Sequence, residues 1–361
     1  MSNNRALHDA GQSLWLDSIT RELVTQGTLQ RYIDDLSVTG LTSNPTIFDK
    51  ALQGGADYDD QIASRLADGR SGEDLFFQLA LEDLRGAADL FAPVHERTER
   101  VDGWVSLEVS PLIAYDAAST IKAATDLFAE ADRKNLFIKI PGTPEGLEAI
   151  EESIANGISI NVTLLFSTEQ YLAQADAYMR GIERRVDAGL DPKVGSVASL
   201  FVSRWDVAVA DKVPDTLKDR LGVAVSSEAY VAYRDLLDSD RWQRLQNEGA
   251  RPQRLLFAST GTKDPALPKT KYVEELAAPD TVNTMPEATL LAFAEDGKVG
   301  GLLRRDGGDS STVLKEFEGA GVDVKALGLQ LQKEGAQKFD DSWSDLLACI
   351  ADKSKTVAAA G

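Results

Sequence analysis

The chain of 361 residues is 43% hydrophobic and 27% charged, which is typical of an ordinary soluble globular protein. Its 58 Asp and Glu outnumber 38 Lys and Arg, and the net charge of −20 argues against nucleic acid or an anionic membrane as a main partner. A span of about 18 apolar residues is absent, and the polar N-terminus lacks a signal-peptide core, so we expect a cytoplasmic protein that does not cross a membrane.

The first two predicted strands each end in a polar residue. Residues 13–17 (SLWLD) form a short apolar run that ends at Asp17, and residues 38–45 predict a second strand with Asn44 near its end. Residues 46–99 carry helical patterns that glycines divide into shorter helices.

Strands three and four carry charged side chains where a buried strand is expected. Residues 104–111 alternate, which places Glu108 on the polar side of strand three. A helix over about 115–131 leads to strand four at 136–140 (LFIKI), in which Lys139 is the only charge. A lysine in such a run requires a partner or a function.

A helix and a fifth strand follow directly. Thr143 is expected to cap a helix with Pro144 at its first position. Strand five is predicted over 158–166. Its alternation places Ile160, Val162 and Leu164 on one face and Ser159, Asn161 and Thr163 on the other.

The rest of the chain adds three strands. A helix over 168–188 precedes strand six within 194–204, where Ser199 lies between apolar residues. After a charged helical region, residues 254–263 predict strand seven and its loop, and 280–285 predict strand eight. Alternation assigns Phe257, Ser259 and Gly261 to one face of strand seven.

Eight strands separated by helices predict an α/β fold, a single (β/α)8 barrel domain over residues 1–361. An open doubly wound sheet is the alternative, but no glycine-rich nucleotide motif follows any strand. We expect a C-terminal helical extension over about 301–350 and a frayed tail over 351–361. Two histidines and one cysteine give no support for a metal site.

In a barrel of this type the active site forms at the C-terminal ends of the strands. A lysine that is buried there favours its neutral amine, which attacks carbonyl groups to form Schiff bases. Glu108 and Asp17 are natural partners for the proton transfers of that chemistry. Eight polar residues of this kind lie late in their strands or on the polar side: Asp17, Asn44, Glu108, Lys139, Asn161, Thr163, Ser199 and Ser259.

The residues alone leave a second interpretation open. Lys139 and Glu108 or Asp17 form a buried ion pair in this alternative, without any catalytic role. Asn161, Thr163 and Ser199 are then hydrogen-bonded polar groups of the core.

Five segments closely resemble the transaldolases, with the same order and spacing from about residue 10 to residue 350. The segments are GLTSNPTIF, VSLEVSPLIAYD, NLFIKIPGTPEGLEAI, GISINVTLLFS and SVASLFVSRWD, and ASTGTK at 258–263 is nearest to a bacterial branch. The resemblance implies a barrel of the class I aldolase type, with no cofactor. It also implies transfer of a dihydroxyacetone unit from sedoheptulose 7-phosphate to glyceraldehyde 3-phosphate in the pentose phosphate pathway.

The resemblance also implies a role for each site residue. Lys139 matches the Schiff-base lysine, Glu108 an acid/base that works with a water near Thr163, and Asp17 the acid/base at the C4 hydroxyl. Three residues match groups that hold hydroxyls of the dihydroxyacetone unit, namely Asn44, Asn161 and Ser199.

The phosphate contacts match less completely. Arg204 matches a phosphate-binding arginine, but a second arginine of other branches, two residues after the position of Ser259, is Gly261 here. Lys263 is the nearest cation and is expected to substitute, although it lacks the planar fork of arginine. Arg304 and Arg305 lie in a predicted solvated connection, where a phosphate role is a further alternative.

Two other activities fit the same residues. One is a Schiff-base aldolase that releases free dihydroxyacetone, and the other is a catalytically silent barrel that binds sugar phosphates. In each case the expected partners are phosphorylated ketoses and aldoses, without nucleic acid or membrane, and the expected state is a monomer or homodimer.

Overall fold

The computed structural model describes residues 2–360 and contains a closed barrel of eight parallel strands in the order β1 to β8. Strand β8 pairs with β1, so the sheet has no free edge. The predicted (β/α)8 fold is therefore confirmed. The strands are β1 Gln12–Asp17, β2 Val38–Thr42, β3 Trp104–Glu108, β4 Leu136–Pro141, β5 Ile160–Leu165, β6 Ser196–Phe201, β7 Arg254–Ala258 and β8 Thr281–Met285.

Helices surround the barrel and continue beyond its last strand. They are α1 Asn3–Asp9, α2 Arg21–Thr25, α3 Thr28–Asp35, α4 Pro45–Gln53, α5 Asp59–Ala67, α6 Gly72–Arg97, α7 Ala117–Ala131, α8 Gly146–Ala155, α9 Thr168–Asp187, α10 Ser203–Val209, α11 Leu221–Asp238, α12 Asp240–Asn247, α13 Lys271–Glu275, α14 Glu287–Asp296, α15 Ser310–Gly319 and α16 Val324–Ala360. Two short 3-10 helices lie at Pro111–Ile113 and Asp215–Leu217. Among residues 2–360, no helix is long and apolar enough to cross a membrane.

Aromatic side chains fill the barrel interior near the N-terminal ends of the strands. The Trp104 and Phe137 rings stack with centroids 4.1 Å apart, and the Trp15 centroid lies 6.0 Å from that of Phe137. A Cβ atom at Gly40 would come within 2.5 Å of the Trp15 ring, so only glycine fits beside this indole. The interior is thus packed at this end, and polar side chains occupy the other.

The helix after β4 begins later than the sequence predicted. Helix α8 starts at Gly146, with Glu145 as its N-cap, rather than at Pro144. Thr143 still stabilises the start of the helix, because its hydroxyl accepts a hydrogen bond from the Gly146 N–H at 3.0 Å. The same hydroxyl donates to the Ala114 carbonyl at 2.6 Å, which holds Thr143 outside the helix.

Strand β5 does not alternate to its end. Leu164 has a φ of 59°, and the register with β6 shifts between Val162 and Leu165. Leu165 therefore packs outward with Ile160 and Val162, while Leu164 joins a second cluster with Phe166. The prediction that Leu164 shares a face with Ile160 and Val162 is wrong. The irregularity turns its side chain toward helix α16, where a Cβ atom at Gly335 would lie 2.9 Å from Leu164 Cδ2.

A similar turn follows β7. Phe257 packs outward among the helices, whereas Ser259 and Gly261 line a cavity at the end of the barrel. Ser259 has a φ of 56°, so the left-handed backbone ends the alternation that placed these three residues together.

The C-terminal region differs from the prediction in one respect. Residues 351–360 continue helix α16 and are not frayed, because Val357 packs against the core and Lys353 donates to the Gly55 carbonyl at 2.6 Å. Arg304 pairs with Asp306 at 2.6 Å, and Arg305 pairs with Asp238. Both arginines are more than half exposed, as expected of a solvated connection.

Candidate active site

A cavity of about 330 Å³ opens at the C-terminal ends of the strands. Larger cavities exist, including one of about 710 Å³ at the opposite end of the barrel, but that one contains none of the predicted site residues. The cavity brings together strand ends and the helices α4, α10 and α16. The predicted site residues that line this cavity are Asp17, Asn44, Lys139, Thr163, Ser199, Arg204, Ser259 and Lys263.

Lys139 and Glu108 form a buried ion pair at the base of this cavity. The two residues are opposite each other in the β3–β4 register, and Lys139 Nζ lies 2.9 Å from Glu108 Oε2. The amine also donates to the Ser43 carbonyl at 3.2 Å, and both side chains are at least 93% buried. Burial raises the pKa of the Glu108 carboxyl, and the Lys139 charge offsets part of that rise.

Glu108 is not fully satisfied by this contact. Its Oε1 atom is buried without a hydrogen-bond partner, and so is Oγ1 of Thr163, which lines the cavity. Buried oxygens without partners cost free energy and are uncommon in folded proteins. Both atoms therefore keep hydrogen-bonding capacity beside the lysine.

Asp17 ends strand β1 and lines the same cavity. Its Oδ1 accepts a hydrogen bond of 2.8 Å from Thr42, which also contacts Thr284 at 2.6 Å. Burial raises the pKa of the Asp17 carboxyl, opposed by the charges of Lys139 and Lys263 and by the Thr42 hydrogen bond. A carboxylate with a raised pKa is suited to accept a proton.

Asn161 lies next to the lysine in the β4–β5 register. Its amide nitrogen donates to Ser106 at 3.1 Å, and its oxygen accepts from the Ser199 hydroxyl at 2.7 Å. Because Asn161 is fully buried and does not line the cavity, it orients Ser199, which does. The interpretation of this pair as hydrogen-bonded core groups is thus partly correct.

Asn44 and Ser259 reach the cavity from opposite sides. Asn44 caps α4, where its oxygen accepts from the Ile47 N–H at 3.2 Å, so its amide nitrogen is the group left for a ligand. Ser259 contacts the hydroxyl of Ser203 at 2.9 Å.

Arg204 and Lys263 supply positive charge at the rim. Burial lowers the pKa of Arg204, whose Cζ lies 5.3 Å from the centre of the Phe201 ring and whose Nη1 is buried without a partner. Burial and then the Arg204 charge lower the pKa of Lys263. Two cations that repel each other, and that are offset only by the more distant carboxylates of Asp17 and Glu334, are suited to bind an anion.

The sequence alone did not identify the contribution of helix α16. Phe339 lines the cavity, with the centre of its ring 5.5 Å from Lys139 Nζ. Gln332 anchors the helix, since its amide donates to the Gly142 carbonyl at 2.9 Å and the Leu164 carbonyl at 3.0 Å. Neither residue lies in a motif, and only the amphipathic pattern of the helix could have indicated that it packs on the barrel.

Comparisons with known proteins cover nearly the whole chain. A family model described as transaldolase/fructose-6-phosphate aldolase matches residues 14–350. The chain is 44% identical over 359 residues to a transaldolase of Saccharopolyspora erythraea, with 98% of each chain covered. It is 46% identical over 353 residues to one of Kocuria rhizophila, which covers 95% of this chain and 96% of that one.

Proposed function

This chain belongs to the transaldolase/fructose-6-phosphate aldolase family and is an enzyme with transaldolase activity, and we propose that its reaction proceeds through a Schiff base on Lys139. The observation that carries the proposal is the buried Lys139 amine, 2.9 Å from Glu108, in a cavity with polar groups on the surrounding strand ends. No other lysine of the barrel strands lines this cavity within residues 2–360.

The ion pair itself provides the free amine. Transfer of one proton from the Lys139 ammonium to Glu108 along their hydrogen bond gives a neutral amine and a carboxylic acid. Two neutral groups are cheaper to bury than two charges, and burial already favours the protonated form of Glu108. The ion pair is thus the resting state of the nucleophile, and the two interpretations of Lys139 are compatible.

The amine then attacks the C2 carbonyl of sedoheptulose 7-phosphate. Glu108, with a water held near Thr163, supplies the protons that release the C2 oxygen as water and leave an iminium ion. Asp17 takes the proton of the C4 hydroxyl, the C3–C4 bond breaks, and erythrose 4-phosphate leaves. The remaining enamine adds to glyceraldehyde 3-phosphate, and hydrolysis of the product iminium releases fructose 6-phosphate and the lysine.

The other lining groups bind the substrates. Asn44 and Ser199 donate to hydroxyls of the dihydroxyacetone unit, with Asn161 orienting Ser199 through their 2.7 Å hydrogen bond. Ser259 contacts the sugar near the rim, where Arg204 and Lys263 bind the phosphate. An anion in a chain of net charge −20 needs such a local cluster.

Reductive trapping tests the Schiff base directly. Borohydride added with fructose 6-phosphate should reduce the iminium and leave a dihydroxyacetone-derived adduct on the peptide that contains Lys139. The Lys139→Met variant is the matched control and should carry no adduct. An adduct on another lysine, or none at all, would contradict the mechanism.

Turnover with and without an acceptor separates the transferase from the aldolase. With fructose 6-phosphate alone, little glyceraldehyde 3-phosphate should form beyond one equivalent per enzyme, and erythrose 4-phosphate should then allow continuous turnover. Continuous turnover at the same rate without an acceptor would instead assign an aldolase that releases dihydroxyacetone.

We also propose that the enzyme acts in the cytoplasm on its phosphorylated ketose and aldose substrates, as a monomer or homodimer. Light scattering on the purified protein tests the last point, since each chain has a mass of 39.0 kDa. A larger assembly would contradict it.

A further inference from the structure

We propose that Lys50, on helix α4, is a third cation that binds the substrate phosphate, and this inference rests on the proposed phosphate site of Arg204 and Lys263. Lys50 belongs to none of the strand-end motifs. Its position on the cavity wall, its charge environment and the chemistry of its side chain each support the assignment.

Helix α4 presents one face to the cavity. Its N-cap Asn44 and the residues Thr46, Ile47 and Lys50 all line the cavity, as expected of positions three or four residues apart on one side of a helix. The neighbouring Asp49 lines a different cavity, beside α16, so the acidic residue next in sequence is directed away. Lys50, in the last turn of α4, thus lies on the wall of the cavity that Arg204 and Lys263 also line.

The three cations have no carboxylate partner. Across residues 2–360, none of Lys50, Arg204 and Lys263 lies within ion-pair distance of an Asp or Glu, whereas Lys353 pairs with Asp59 at 3.1 Å. Burial lowers the pKa of Lys263 most, and the charges of Arg204 and Lys50 lower it further, so Lys263 lies close enough to both cations to be repelled by them.

Three positive charges that line one cavity raise the free energy of the protein unless a negative charge offsets their repulsion. Asp17 opposes the lowering of the Lys263 pKa, and Glu334 opposes that of Arg204, but among residues 2–360 neither carboxylate lies within ion-pair distance of the cluster. Repulsion between like charges costs free energy, and a phosphate dianion bound among them reverses the sign of that interaction. The cluster is therefore arranged for an anionic ligand.

The loop after β7 carries no charge at Gly261. A Cβ atom there would lie 3.2 Å from Cγ of Pro286, a tight contact that would require the proline to shift slightly. Lys50 reaches the cavity from the facing helix instead. Its flexible four-carbon stem suits an enzyme whose ketose substrates carry the phosphate on C6 or C7, because the ammonium follows the phosphate outward.

The test compares Lys50→Met with Lys315→Met. Lys315 lies on α15, is exposed, forms no ion pair within residues 2–360 and does not line the cavity. Its substitution changes the net charge by the same amount as that of Lys50. Lys50→Met should raise the KM for fructose 6-phosphate, and the inhibition constant of inorganic phosphate, about tenfold, the usual size of one lost charged hydrogen bond. Lys315→Met should change neither, and Lys50→Arg should restore most of the affinity.

Dihydroxyacetone serves as the probe without a phosphate. The concentration dependence of its borohydride trapping on Lys139 should be the same in Lys50→Met as in the unaltered enzyme. An unchanged KM for fructose 6-phosphate, or weakened trapping of dihydroxyacetone as well, would overturn the role of Lys50. Absence of any adduct in the unaltered enzyme would instead refute the Schiff base, so the two failures are distinguishable.

Discussion

The barrel holds two buried ion pairs, one at each end, and they differ in how completely their hydrogen bonds are satisfied. Lys139 and Glu108 lie 2.9 Å apart at the C-terminal end, and Arg254 and Asp102 lie 3.2 Å apart at the N-terminal end. All four side chains are at least 90% buried. Both pairs carry the same kind of desolvation cost, since the charges of each pair lose their hydration on folding.

At the N-terminal end every charged group has partners. Both oxygens of Asp102 accept hydrogen bonds, one from Trp15 at 2.8 Å and the other from Ser13. Arg254 donates to Ser13 and to the Val101 carbonyl, each at 2.7 Å. Neither side chain of this pair has a buried polar atom without a partner, so the pair links β1 and β7 to the segment before β3.

At the C-terminal end the hydrogen bonds of the Lys139–Glu108 pair are incomplete. Among residues 2–360, Oε1 of Glu108 has no partner, and Lys139 lines a cavity of about 330 Å³. The unused oxygen costs stability and at the same time gives the pair a proton acceptor beside the nucleophile. Under the proposed mechanism, incomplete hydrogen-bond satisfaction, and not burial of charge, distinguishes the reactive pair from the structural one.

The largest effect is expected from Lys139→Met, which removes the nucleophile. Turnover should fall by about 10⁴-fold or more, as for other enzymes that lose a covalent nucleophile. The protein should stay folded, because burial raises the pKa of the Glu108 carboxyl and favours its neutral form once the lysine is absent. Steady-state kinetics and circular dichroism measure the two quantities, and substantial remaining turnover would require another nucleophile.

Arg254→Met should have the opposite effect, with a loss of stability and no change in kcat. It leaves Asp102 buried without its charged partner, so the free energy of unfolding should fall by about 3–5 kcal/mol. The kcat of the folded fraction should be unchanged, because the pair lies at the far end of the barrel. Urea denaturation and active-site titration test this, and a loss of kcat at unchanged stability would reverse the assignment of roles.

Glu108→Gln should lower kcat by about 10²-fold, the usual contribution of one acid/base group. Any acidic limb of the kcat–pH profile that belongs to Glu108 should disappear, whereas glutamine preserves the shape of the side chain. Borohydride trapping should still mark Lys139. If kcat changed less than about twofold, Glu108 would be only a charge partner.

The smallest effect is the pH dependence of stability at Asp17. Burial raises the pKa of this carboxyl above its ordinary value of 3.8, so the folded state binds the proton more tightly than the unfolded chain. This contribution is present below the ordinary pKa and is lost as the pH rises through the raised pKa.

Asp17→Asn, which cannot ionise, should therefore match the unaltered protein in stability near pH 4 and exceed it at neutral pH. Thermal unfolding across this range provides the measurement. A difference that shrinks toward neutral pH would show that the carboxylate of Asp17 stabilises the fold.

The sequence was sufficient for the barrel and for the main group of site residues. The alternation of buried strands fixes which side chains face the axis, and parallel strands bring their C-terminal ends to one rim. Asp17, Lys139, Thr163 and Ser199 could be placed at the cavity for that reason alone. Asn161 was placed beside the lysine by the same rule, but it is fully buried behind Ser199.

Other features depended on contacts between distant parts of the chain. The left-handed residues Leu164 and Ser259 change the facing of strand ends, and a local pattern contains no signal for a reversed φ at a leucine or serine. Phe339 lies 200 positions after Lys139 in the chain but contacts it in the structure. Helix α16 is anchored there by hydrogen bonds to the carbonyls of Gly142, just after β4, and Leu164, in β5. A periodic pattern indicates which side of α16 is apolar, but not the surface that it covers.

The two ion pairs also differ in what the sequence determined and what the tertiary structure decided. The sequence by itself determined that Lys139 is a charge in a buried strand, because the apolar run LFIKI has no other interpretation. Only the tertiary structure decided that Glu108, the partner of Lys139, keeps one carboxylate oxygen free while Asp102 keeps none. Hydrogen-bond satisfaction depends on groups from three separate segments that meet at one point.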